Sequence, residues 1–106
     1  MSPLPTPQSY LQQMMALTSG EAKRAWRREI KERDGNRCVY CGSTDNLTLD
    51  HIRPKARGGL DVASNLVTCC LHCNGKKSDN HWQDWYAAQA FFNLTNFTRI
   101  LNIQGA

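Results

Sequence analysis

Two C-x-x-C pairs, Cys38-Val39-Tyr40-Cys41 and Cys70-Leu71-His72-Cys73, bracket residues 42–69 of this 106-residue chain. Each pair belongs on a turn that aims two thiolates at one point, and two such turns complete a tetrahedron. Soft sulfur donors suit Zn2+, and four of them leave no open coordination position, so the predicted zinc is structural. The competing reading is a pair of disulfides or buried thiols, which an oxidising compartment would favour. Zinc binding on the order of 10–16 kcal/mol at neutral pH would let a small core fold. The x-x spacing to Cys73 selects Cys70 as the ligand and leaves Cys69 as an expected buried hydrophobe. His72 is expected at the surface or behind the ligands rather than on the metal.

The length allows one small domain, read as residues 19–106, preceded by an arm and a possible short helix over residues 1–18. No stretch approaches the ~18 apolar residues of a membrane span. Five cysteines is an odd number, and the first twenty residues lack both charge and a long apolar core. No export signal is therefore expected, and a reducing cytoplasmic location in a bacterium or its phage follows. The Asn-x-Thr matches at Asn46, Asn93 and Asn96 are then chance. Residues 1–77 carry twelve Lys and Arg against seven Asp and Glu, 12 − 7 = +5, and the last 29 residues carry −1. That imbalance hints at a polyanionic partner.

Three prolines at alternate positions between Met1 and Pro7 predict an extended, fraying arm, and a short helix is placed over Ser9 to Leu17. Thr18-Ser19-Gly20-Glu21 has the spacing of a capping box, which predicts a basic helix from Glu21 to about Arg33. Trp26 and Ile30 form its narrow apolar stripe, and Asp34-Gly35-Asn36 closes it. Residues 37–77 are punctuated by Gly, Pro and Asn, with a strand over Leu47 to Ile52 and a turn at Arg57-Gly58-Gly59. Trp82, Trp85, Tyr86, Phe91 and Phe92 are assigned to one C-terminal helix, followed by Phe97, Ile100, Leu101 and Ile103. Their helical spacing reads as core supply rather than base stacking. His81 has no evident partner.

Between the knuckles run Asp50-His51-Ile52-Arg53-Pro54, Gly58-Gly59 and Asn65-Leu66-Val67, with Asn74-Gly75-Lys76-Lys77 closing the second pair. In this combination and order the segment from about Arg33 to Ser78 resembles the zinc-bearing HNH endonucleases. That resemblance implies an α+β fold, a small ββα-metal domain clamped by the four-cysteine zinc. Here it is flanked by the basic helix and covered by aromatic helix. It also implies hydrolysis of DNA phosphodiesters to 5′-phosphate and 3′-hydroxyl ends. The final motif position, often His in the family, is Asn74, a variant shared with the HNH domain of CRISPR effector nucleases.

The residues support the same chemistry. A neutral imidazole accepts a proton near pH 7, which makes His51 the natural general base. Asp50 and Asn74 offer hard oxygen donors, so the second metal is expected to be Mg2+ or Mn2+. The family places Asn65 as the buttress of the loop that orients the histidine. Arg53, Lys55, Arg57, Lys76 and Lys77 are expected on phosphates, positioning DNA without reading sequence. Adjacent strand residues point to opposite faces, so the strand must bulge or end if Asp50 and His51 are to meet one phosphate. A homodimer, or a phage or host partner protein, stays open, since one site cuts one strand. The alternative function is a non-catalytic zinc module that binds nucleic acid through its basic helix.

Overall fold

The computed structural model describes residues 3–16 and 18–105. Met1, where the predicted arm starts, and Leu17, where the first predicted helix ends, lie outside them. Helix α1 spans Pro7–Gln12, earlier and shorter than expected, with Pro7 in its first turn where a missing N–H costs nothing. The arm before it is anchored rather than frayed. Pro5 accepts a backbone hydrogen bond from Ala63 (2.8 Å) and Leu4 N–H donates to the fully buried Tyr10 hydroxyl (3.1 Å).

Helix α2 runs Ser19–Arg33 behind the predicted capping box: Thr18 Oγ1 accepts from Glu21 N–H, and Glu21 Oε1 accepts from Thr18 N–H. Ala22, Trp26 and Ile30, four apart, bury its apolar stripe. At its end the buried Asp34 carboxylate takes two hydrogen bonds from Arg33 and a third from Thr68 N–H (2.8 Å). Arg33 also donates to the carbonyls of Ala63 and Leu66. The basic helix is thereby tied to the sheet.

Strands β1 (Leu47–His51) and β2 (Leu66–Cys70) form a two-stranded antiparallel sheet, from Leu47 opposite Cys70 to His51 opposite Leu66. The pairing has no bulge, and β1 stops at His51, one residue short of expectation; Ile52 N–H turns to the Asn65 carbonyl. Leu49 and Leu66 face α1 and α2, while Val67 and Cys69 face the opposite core with Tyr40 and Tyr86. All of β2 is buried. It passes directly into α3 (Leu71–Lys77), whose first turn is capped by the Cys70 sulfur accepting from Cys73 N–H.

The aromatic segment is two helices, not one: α4 (Trp82–Ala87) and α5 (Leu94–Gln104). Phe91 and Phe92 lie in the turn between them. Asn93 caps α5 by accepting from Asn96 N–H (3.0 Å), and the Tyr86 hydroxyl accepts from Asn93 N–H while donating to the Tyr40 carbonyl. Those bonds fix a turn where spacing alone suggested continuity. The aromatics nevertheless supply core, with Trp82 and Tyr86 buried and Tyr40 edge-on to both Trp85 and Tyr86 at 5.1 Å.

Candidate functional site

The first knuckle closes where Gly42, at φ 81°, returns its N–H to the Cys38 carbonyl (2.9 Å). The second straddles the β2–α3 junction. Together they bring the sulfurs of Cys38, Cys41, Cys70 and Cys73 within 4.8 Å of one another, and Cys41 and Cys70 approach to 3.7 Å. A tetrahedral zinc with ~2.3 Å bonds has sulfur–sulfur edges of about 3.8 Å, so the quartet fits such an ion. Cys69 is buried outside the quartet, donating its thiol to the Cys70 carbonyl (3.4 Å). His72 is exposed.

β1 ends at His51, where Asp50 is buried and His51 stays partly exposed. Asp50 turns inward, 6% exposed, beneath the C-terminal turn of α3. There its Oδ2 lies 3.0 Å from the ammonium of Lys77, which also donates to the His51 carbonyl (3.1 Å). Oδ2 has no partner other than this ammonium among the described residues. Burial pushes the Asp50 carboxyl up, and the Lys77 charge pulls it partly back. Lys77 is fully buried. This corrects the expectation that it meets phosphate: its charge is already committed to the protein interior. Asn74 is half-buried one helical turn before Lys77, and its amide makes no hydrogen bond among the described residues.

His51 keeps a quarter of its side chain exposed, and its Nε2 lies 2.6 Å from Asp61 Oδ1. The other oxygen of Asp61 lies 3.3 Å from Lys55 Nζ. The hydrogen bond from His51 holds the Asp61 carboxyl below its usual range. Asp61 escaped sequence reasoning, because an exposed acidic residue after a Gly-Gly turn carries no signal of a histidine ten positions back.

Asn65 clamps the intervening loop. Its Oδ1 accepts from Arg53 N–H (2.9 Å), and its Nδ2 donates to the carbonyls of Arg53 (3.1 Å) and Leu60 (2.9 Å). The loop folds so tightly that a Cβ at Gly59 would collide with the Arg53 carbonyl. Arg53, Lys55, Arg57 and Lys76 are exposed. Arg53 Nε donates to the Arg57 carbonyl and Arg57 Nε to that of Asp79, which orients both guanidinium groups. They border a cleft of about 430 Å3 floored by Ile52 and Trp82, with His81 on its rim.

A two-strand hairpin, the following helix and a four-cysteine cluster able to hold a metal define a ββα-metal domain. Residues 38–85 match the family model described as HNH endonuclease. A CRISPR-associated endonuclease Cas9 from Actinomyces naeslundii is 38% identical over 63 residues, 56% of this chain but only 6% of that protein. A solved structure of the Type IV phosphorothioation-dependent restriction endonuclease ScoMcrA aligns with a TM-score of 0.47 and 20% identity, over 90% of this chain and 22% of that one. The resemblance to HNH endonucleases thus rests on residues 38–85, and the chain spans only a small part of the relatives it matches.

Proposed function

We propose that this chain is a divalent-cation-dependent DNA endonuclease in which His51 is the general base. The observation that carries the reading is the partly exposed His51 imidazole at the end of β1, next in sequence to the buried Asp50 carboxylate. The match of residues 38–85 to the HNH endonuclease model supports nuclease activity in general.

His51 takes a proton from a water that attacks phosphorus, the bond to the 3′ oxygen breaks, and that oxygen is protonated as the 3′-hydroxyl. The 5′ side keeps the phosphate. Asp50 and Asn74 are the residues that would hold Mg2+ or Mn2+: the carboxylate of Asp50 and the amide oxygen of Asn74 are the hard donors such an ion takes, with Lys77 sharing the Asp50 charge. When bound, the cation would supply charge against the developing phosphorane. Arg53, Arg57 and Lys76 would contact phosphates, with Lys55 shared between phosphate and Asp61. Asn65 keeps the loop beside His51 in one conformation through its three hydrogen bonds.

The Asp50–Lys77 pair favours a second reading, a zinc-bearing nucleic-acid-binding module that does not cut, because it already gives Asp50 a cationic partner. The two separate on supercoiled plasmid incubated with the zinc-loaded protein and Mg2+ or Mn2+. A nuclease yields open circles that DNA ligase reseals, since ligation needs 5′-phosphate and 3′-hydroxyl ends. Retained binding with no cutting supports the second reading.

A further inference from the structure

We infer that Asp61 is the positioning residue of the His51 base, holding the imidazole as the Nε2–H tautomer so that Nδ1 is the atom that accepts the proton. This rests on the nuclease reading proposed above and adds to it a named carboxylate and a named nitrogen.

The geometry is direct. Asp61 Oδ1 accepts from His51 Nε2 at 2.6 Å, a close contact of the kind an ionised acceptor makes. A carboxylate is acceptor-only, so the ring nitrogen facing it must carry the hydrogen, and the other nitrogen of a neutral imidazole is then bare. No hydrogen bond occupies Nδ1 among the described residues.

Asp61 is exposed, and an isolated exposed contact would order little. Three features hold this one. Asn65 Nδ2 fixes the carbonyl of Leu60, the residue immediately before Asp61. The close approach at Gly59 leaves the loop no room for a side chain there. Lys55 Nζ restrains the second carboxylate oxygen at 3.3 Å. The orienting effect that the family resemblance assigns to Asn65 thus reaches His51 through the loop backbone and the Asp61 carboxylate. During the reaction the proton from water arrives at Nδ1, and Nε2–H keeps donating to Asp61, which stabilises the imidazolium without itself taking a proton.

The test compares the zinc-loaded parent with Asp61→Ala, Asp61→Glu and His51→Ala. Two readouts are taken: ring-nitrogen NMR of 15N-histidine-labelled protein, and plasmid cleavage with Mg2+. Matching zinc content and circular dichroism confirm folding, which an exposed loop substitution should preserve. The expected result is an Nε2–H tautomer at His51 in the parent and a mixture in Asp61→Ala. Asp61→Ala should lower kcat by about 10- to 100-fold with little change in KM for DNA, and Asp61→Glu should recover part of it. A parent His51 in the Nδ1–H form, or a tautomer unchanged by Asp61→Ala, overturns the inference whether or not the protein cuts. Cutting lost in His51→Ala but unchanged in Asp61→Ala overturns Asp61 alone. Cutting unchanged in His51→Ala overturns the base assignment beneath both.

Discussion

The Lys77 ammonium and the Asp50 carboxylate lie 3.0 Å apart, both buried, where the end of β1 meets the last turn of α3. The two strands and the helix of the ββα unit are thus joined at both ends, by the cysteine cluster at the β2–α3 junction and by this pair at the other. Removing one partner leaves a buried charge uncompensated. Lys77→Met should cost about 3–5 kcal/mol, read from urea unfolding of the zinc-loaded protein. A loss below about 1 kcal/mol would mean that the ammonium is hydrated and not buried.

Extracting the cluster's metal should cost far more. Metal free energy of about 10–16 kcal/mol exceeds the whole stability of a typical small domain, so a strong chelator should unfold the chain cooperatively. Cys38→Ser should have the same effect, and Cys69→Ser, outside the quartet, should leave one zinc bound. Metal content by atomic emission with a parallel thermal melt checks both. Retained metal in Cys38→Ser would remove it from the ligand set.

The Asn65 clamp predicts a local effect. Asn65→Ala deletes the acceptor for Arg53 N–H and should lower stability by only about 1–2 kcal/mol, because these bonds lie near solvent. Amide hydrogen exchange at Arg53 should nevertheless accelerate much more than at Val67 in the sheet. Uniform acceleration across both would show that Asn65 supports the whole fold rather than one loop.

Salt dependence should separate surface charges from the buried one. Arg53, Arg57 and Lys76 are exposed, so alanine at each should reduce the slope of log K against log salt by about 0.9 per phosphate contact. Lys77, wholly inside, should not alter the slope in a folded variant. Fluorescence anisotropy with a short duplex at several salt concentrations measures it, and an unchanged slope in the triple variant would place the DNA elsewhere.

What the sequence made legible was local. The knuckles, the Thr18–Glu21 capping box and the tight Gly58-Gly59 turn are all written in spacings of a few residues, and each stands where expected. The unreadable parts are contacts across the chain. Lys77 looks like one half of a basic doublet until the fold carries it to Asp50, 27 positions away, and Asp61 looks like a solvated loop residue until the loop sets it against His51. Likewise Arg33 and Asp34 read as the end of a helix, yet they bond to Ala63, Leu66 and Thr68. The aromatic segment misled for the converse reason: helical spacing persisted across a break set by one cap, Asn93, and one hydroxyl, Tyr86.

The central claim is that His51 activates water. Its most direct measurement is the single-turnover rate of strand cleavage in Mg2+ or Mn2+ for zinc-loaded parent and His51→Ala, at equal DNA occupancy fixed by anisotropy. A base reading predicts a loss of about 10²- to 10⁴-fold in the variant with binding and zinc content unchanged. Equal rates in the two proteins would contradict it and move the chemistry to another residue.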